Sequence, residues 1–223
     1  MGEHYRVLLA PDPDLLLDLI SEDLFAKIVS KKLCLIVDDD GTISDSHPMY
    51  IGWLAEKLKR PLRPEDNTRY DFLDIDPQAL GMLVASVFKN ARMHRNLPVI
   101  EGAVETLSAI SGMGIAIVIL TARPPTRSMA KATADHKKEH GVPFDLLIFS
   151  RRKKEIIKSI KKLGCHVMVV DDDPKVFKGV RRLVNVTALL FDACYNRKLK
   201  GAGRVMNWKE VLKAAREIVN GRR

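Results

Sequence analysis

The sequence predicts an α/β fold: a parallel, doubly wound sheet with a small helical domain inserted after its first strand. Three observations carry this expectation. First, five short apolar runs recur at 33–37, 115–120, 146–149, 167–170 and 186–191. Each is nearly continuous rather than alternating, as strands covered on both faces are. Second, helical patterns lie between them at 103–110, 127–140, 154–163 and 175–183. Strand alternating with helix implies parallel strands joined by crossovers. Third, about 70 residues, 43–114, separate the first run from the second. An ordinary crossover is far shorter, so the segment reads as an insertion.

The elements follow in order. Asp12-Pro13 suits a helix N-cap and first turn. Leu16, Ile20, Leu24 and Ile28 then recur near helical spacing, which predicts an amphipathic helix packed on the main body or on a partner. Residues 1–30 are therefore expected to form an N-terminal helical extension. The insertion holds helical patterns at 47–59 and 77–89 and loops marked by Pro61, Pro64 and Pro98. The expected domains are a core of 31–44 and 98–223 and a helical cap of 45–97. Binding sites in open α/β sheets lie beyond the carboxyl ends of the strands. An insertion leaving from that end would cover the site like a lid.

Composition narrows the class. Hydrophobic residues at 46% and charged residues at 29% fit an ordinary globular protein. No apolar run approaches the roughly 20 residues of a membrane helix. The opening "MGEHYRVLLAPDPD" has no basic flank before a long apolar core, so no secretory signal is expected. Cys34, Cys165 and Cys194 form no CxxC pair and are expected as free thiols in a reducing, cytoplasmic setting. The net charge of +9 and pI near 9.5 favour an anionic partner such as a phosphate ester. Much of that charge, from Arg151 to Arg182, falls at helical spacing and reads as a solvated face.

The chemistry gathers at the strand ends. The first run stops at Asp38-Asp39-Asp40-Gly41-Thr42 and the second at Thr121-Ala122-Arg123. The third leads to Ser150 and a basic cluster containing Lys153 and Lys154, and the fourth stops at Asp171-Asp172-Asp173. In a parallel sheet these ends share one edge. Carboxylates brought together from two strands are best tolerated around a hard cation, and an all-oxygen set suits Mg²⁺. A lysine and a hydroxyl beside them suit phosphate. An aspartate can attack phosphorus, and a second carboxyl can protonate the leaving oxygen. Gly41 allows a turn that could aim backbone N–H groups at the phosphate.

Asp38-x-Asp40-Gly41-Thr42, strand–Thr121, a lysine and strand–Asp171-Asp172, in that order, resemble the four motifs of the haloacid-dehalogenase-like (HAD) phosphohydrolases. That resemblance implies a Rossmann-like three-layer core with a helical cap. "RPEDNTRYDF" (63–72), "LPVIEGAVETL" (97–107), "ILTARP" (119–124), "LLFDACYNRKL" (189–199) and "NWKEVL" (207–212) are further similar to the 5′(3′)-deoxyribonucleotidase family. The resemblance covers about 33–215, so residues 1–30 have no counterpart in it. It implies Asp38 as nucleophile and Mg²⁺ ligand. It implies Asp40 as acid/base, with its backbone carbonyl on the metal. Thr121, Ala122, Gly41, Thr42 and a lysine would surround the phosphate. Lys154 is taken as that lysine, because "KEIIKSI" opens a helix as the family's lysine segment does. Asp172 would bind the metal with Asp171 in support.

Other residues have plainer readings. Asp39 is expected to point away from its two inward-facing neighbours. Asp173-Pro174 reads as the cap of the next helix. Arg123 could meet substrate or cap the sheet edge. Tyr50, Trp53, Tyr70 and Phe72 are expected to fill the core of the lid, Trp208 to anchor the last helix, and the six histidines to be structural. The expected activity is a Mg²⁺-dependent phosphomonoesterase acting on nucleoside monophosphates. Two alternatives stand beside it. One is a polynucleotide 3′-phosphatase, with nucleic acid drawn by the basic surface, or another small-molecule phosphatase of the same superfamily. The other is a degenerate binding module using the leader as a docking element.

Overall fold

The computed structural model describes residues 5–201 and 203–221. Among them, seven strands form one sheet: β1 (Arg6–Leu9), β2 (Leu33–Val37), β3 (Ala116–Thr121), β4 (Leu146–Phe149), β5 (His166–Asp171), β6 (Val186–Phe191) and β7 (Arg204–Val205). Their order is β1-β4-β3-β2-β5-β6-β7, and every neighbouring pair is parallel. The continuous apolar runs are explained by burial on both faces. In β2, Leu33, Leu35 and Val37 enter one apolar cluster and Cys34 and Ile36 the other.

Ten α-helices accompany the described strands: α1 (Leu16–Leu19), α2 (Glu22–Lys31), α3 (His47–Leu58), α4 (Ala79–Ser86), α5 (Ala91–Arg95), α6 (Ala103–Gly112), α7 (Arg127–Glu139), α8 (Lys153–Lys161), α9 (Pro174–Val180) and α10 (Trp208–Val219). Helices α6, α7 and α10 send side chains into the first cluster; α1, α2, α8 and α9 send theirs into the second. The result is a three-layer α/β sandwich. Trp208 is fully enclosed at the start of α10, and its Nε1–H donates to the Thr42 carbonyl at 3.1 Å. The last helix is thereby tied to the turn after β2.

The N-terminal segment departs from expectation. Residues 1–4 of the expected extension lie outside the described residues. The rest is not purely helical: β1 pairs with β4 and closes one edge of the sheet. The run Val7-Leu8-Leu9 is too short to signal a strand by periodicity, but it satisfies the open backbone groups of β4. The single expected helix is split. Ile20 is extended (ψ 135°), and Ser21 starts α2 by accepting a hydrogen bond from the Leu24 N–H. Leu16, Leu24 and Ile28 are buried in the second cluster, and Ser159 donates to the Pro13 carbonyl at 2.6 Å. These contacts make the leader part of the core.

The insertion leaves and re-enters through paired backbone. Ser44 bridges Val99 in antiparallel fashion, Ile100 N–H donates to Ile43 O at 2.8 Å, and Asp45 N–H to Pro98 O at 2.8 Å. Tyr50, Ile51, Leu54, Phe72, Ile75, Ala79, Leu83 and Val87 form its own apolar cluster. Its last helix, α5, instead sits on core helix α7, where Arg95 pairs with Asp135 and Glu139.

His136 on α7 locks this junction. Its Nε2 meets the Leu97 carbonyl at 2.7 Å, and Lys137 Nζ lies 3.1 Å from its Nδ1. Both contacts suit a neutral ring with its proton on Nε2. Burial and the Lys137 charge push its pKa down to about 4. The unfolded chain therefore takes up this proton first as pH falls. The ring's contribution is present above about pH 6.5 and lost toward pH 4, by up to about 3 kcal/mol. His136→Gln keeps a donor for Leu97 but removes the titration. The loss of urea stability between pH 7 and 4.5 is expected to shrink in this variant; an unchanged loss would contradict the assignment.

Candidate active site at the strand ends

The first crossover from β2 runs to β3, whereas β5 flanks β2 on its other side. A crevice opens where connections diverge in this way. The β2–β5 register sets Val37 opposite Val170, and Asp38 N–H donates to the Val170 carbonyl at 2.9 Å. Asp38, Asp171 and Asp172 thereby meet, each with a carboxylate oxygen within 4.8 Å of the others', and all three are buried.

One cation of the chain enters this group. Lys153 Nζ stands 2.6 Å from Asp38 Oδ2 and 2.9 Å from Asp171 Oδ2. Burial works against its charge, but Asp171 and Asp38 hold it protonated above the ordinary lysine range. It does not balance three acids. Burial pushes Asp38 up to about 8 against the pull of Lys153, with Asp171 adding to the rise. Burial likewise lifts Asp171 to about 6 and, with Asp38 beside it, Asp172 well above the carboxylate range. An excess of buried negative charge with oxygen-only donors is what a hard divalent cation would relieve.

The neighbouring acids are treated differently. Asp40 is gripped by Arg123, with Nε 2.7 Å from Oδ2 and Nη2 2.8 Å from Oδ1, and Tyr50 donates to Oδ1 at 3.2 Å. Burial opposes its charge, but Arg123, helped by the nearby His94, outweighs burial and keeps it well below the carboxylate range. Asp39 points away, as expected. It lies 2.8 Å from Arg123 Nη1, pairs with Lys137 and accepts from Ser44 Oγ at 2.6 Å. Arg123 is thus a buried clamp between two acids that also reaches the cavity, so both of its sequence readings stay open.

Gly41 makes the close approach possible. Its φ is +74°, and a Cβ there would lie 2.8 Å from Asp172 Oδ2 and collide with the Tyr195 hydroxyl. Tyr195 donates to that same Oδ2 at 2.6 Å. The amides of Gly41 and Thr42 themselves are taken up within the turn: Gly41 N–H donates to Ser44 O at 2.8 Å and Thr42 N–H to Asp39 O at 3.3 Å. Thr42 instead reaches Asp172 Oδ1 with its hydroxyl at 3.4 Å.

The crevice opens into a cavity of about 380 Å³ under the lid. Asp38, Asp40, Thr121, Ala122, Arg123 and Asp172 line its floor, and Tyr50, Phe72, Leu80, Val84 and Phe88 its roof. Tyr50 and Phe72 therefore do more than fill the lid core. His47 and His94 also line the cavity, which the scattered histidines did not suggest. Asp173 caps α9 by accepting from Lys175 N–H at 2.7 Å, and Pro174 follows as its first residue.

With this geometry in view, a family model described as 5′ nucleotidase, deoxy (pyrimidine), cytosolic type C protein (NT5C) matches residues 31–219. The chain belongs to this NT5C family. A curated relative, the "Putative nucleotidase" of Oceanobacillus iheyensis, is 27% identical over 115 residues, covering 52% of this chain and 60% of the relative. The NT5C match excludes the leader, although the leader is built into the sheet. Two solved structures share the fold. A HAD-superfamily hydrolase from Ehrlichia chaffeensis has a TM-score of 0.55 and 13% identity, covering 84% of this chain and 97% of that one. A HAD family hydrolase from Deinococcus radiodurans, solved with bound phosphate and sodium, has a TM-score of 0.55 and 15% identity, covering 84% and 96%.

The lysine of this NT5C chain is also corrected. Lys154 is exposed, its stem beside Gly179, while Lys153 is buried on the acids. The signal was in the sequence. Lys153 precedes Ile156, Ile157 and Ile160 at helical spacing, so it lies on the buried face of α8. Lys153→Met should leave the acids unpaired and lower unfolding stability by about 3 kcal/mol. Lys154→Met should stay within about 0.5 kcal/mol of the parent. Urea denaturation of both variants checks this, and equal effects would contradict the assignment.

Proposed function

We propose that the protein is a Mg²⁺-dependent phosphomonoester hydrolase acting on nucleoside monophosphates through an aspartyl-phosphate on Asp38. The observation that carries this reading is the Asp38–Asp171–Asp172 group, short of positive charge, opening on a small cavity with an aromatic roof. The residues present fit the cation. Asp38, Asp171 and Asp172 would hold it, with the Asp40 backbone carbonyl. When bound, it would neutralise charge on the acids and on the phosphoryl oxygens.

The chain's own residues account for the remaining steps. A carboxylate oxygen of Asp38 attacks phosphorus in line, forming the O–P bond while the ester O–P bond breaks. Asp40, which Arg123 keeps ionised beforehand, first takes up a proton from the incoming monoester or from water and then passes it to the departing oxygen. A water molecule then loses its proton to Asp40 and cleaves the acyl phosphate, releasing phosphate and restoring Asp38. Lys153 offers charge to the phosphoryl group beside Asp38, and the Thr121 hydroxyl lines the same floor. The aromatic roof suits a flat base, and about 380 Å³ is the size of a small-ligand pocket. A roofed cavity of this size favours a mononucleotide over a polynucleotide end. Cys34 and Cys165 are buried free thiols, which supports a reducing, cytoplasmic location.

Purified protein with Mg²⁺ is expected to release phosphate from a generic aryl phosphate and from nucleoside monophosphates. Asp38→Asn should lower that release by about 10⁴-fold or more, since it removes the nucleophile. Activity within tenfold of the parent in that variant would end the mechanism.

A further inference from the structure

His94 is 1% exposed and lines the cavity, yet neither Nδ1 nor Nε2 has a hydrogen-bond partner. A phenylalanine would fill a similar volume without burying unpaired polar atoms. The residue is firmly placed. Asn90 caps α5 by accepting from Met93 N–H at 3.2 Å, and the adjoining Arg95 is anchored 3.4 Å from Asp135 on α7. The ring stands at 67° to Tyr50, with centroids 6.4 Å apart.

Its nearest charged neighbour is Asp40. Nδ1 lies 3.6 Å from Asp40 Oδ1, just beyond hydrogen-bond length. That oxygen already accepts from Arg123 Nη2 at 2.8 Å and from Tyr50 at 3.2 Å. Three donors converge on one oxygen, and His94 is the one left waiting. A carboxylate gripped by both guanidinium contacts must turn from at least one of them and take up a proton before it can protonate a leaving group.

We propose that His94 is a positioning residue for Asp40: its Nδ1–H takes Oδ1 when the carboxylate swings off Arg123 toward the departing oxygen. This rests on the phosphohydrolase reading above, in which Asp40 is the proton donor. The tautomer follows from the surroundings. A bare nitrogen lone pair facing an anion is repelled, so the proton sits on Nδ1. Tyr50 belongs to lid helix α3 and His94 to a helix seated on the core, so donors approach this single oxygen from both sides of the cavity.

Two readouts test this on the full chain. With an aryl phosphate and Mg²⁺, His94→Phe is expected to lower kcat by about 10²-fold with KM nearly unchanged, the cost of a misplaced group. Its urea midpoint should be equal to or above the parent's. His94→Asn, whose amide nitrogen can occupy the place of Nδ1, should recover most of the loss. A His94→Phe enzyme with kcat within about two-fold of the parent, or a defect in KM alone, would overturn the proposal. Independently of turnover, ¹⁵N NMR of the histidine-labelled protein should show the proton of His94 on Nδ1, with its signals assigned by their loss in His94→Phe. A proton on Nε2 would overturn the contact. A parent enzyme without phosphatase activity would instead count against the phosphohydrolase reading, and the tautomer would still decide the His94–Asp40 contact.

Discussion

Three buried carboxylates held within a few ångströms of one another are the constraint around which this molecule is organised. Asp38 and the Asp171–Asp172 pair meet because two central strands run in parallel with Val37 opposite Val170. Like charges at that distance in a poorly solvated crevice repel strongly. The chain supplies Lys153 to two of them and the Tyr195 hydroxyl to the third. Gly41 lacks the side chain that would push Asp172 and Tyr195 away. The apolar strands beneath are the rigid base that keeps the acids from relaxing apart.

The same physics divides the Asp38-Asp39-Asp40 run. Three consecutive residues of one type acquire opposite protonation tendencies. Asp38 faces the crowded acids and is pushed up to about 8 by burial. Asp39 faces the other way, where Arg123 and Lys137 overcome burial and hold it below the carboxylate range. Asp40 is held lower still, gripped by two donors on one edge of Arg123. Alternation along an extended chain separates the first from the second, and one buried arginine then couples the second to the third. The site's electrostatics are thus a consequence of strand geometry, with α7 supplying the counter-charge from behind.

Much of this was legible in the residues. Continuous apolar runs fixed β2, β4 and β6 to the residue, because burial on both faces leaves no polar alternation to blur the ends. The acids at those ends could be placed on one edge by topology alone. What escaped is equally physical. β1 is four residues long and owes its existence to the open edge of β4, which no local pattern encodes. Ser21 split the leader helix because a cap outweighed continuing periodicity. Lys153 was passed over for Lys154 although its spacing to Ile156 and Ile160 marked the buried face. His94 could not be anticipated. Its significance lies in a distance to Asp40 created by folding α5 onto α7, and sequence spacing carries no trace of that approach.

The central claim is that the three-acid group is completed by one divalent cation. Isothermal titration of the protein with Mg²⁺, and with Mn²⁺ as a tighter-binding substitute, tests it most directly. One ion per chain is expected, with binding strengthening as pH rises, because the acids must lose protons to receive it. Asp172→Asn should remove it. Absence of saturable binding at millimolar concentrations, or binding unchanged in Asp172→Asn, would contradict the account.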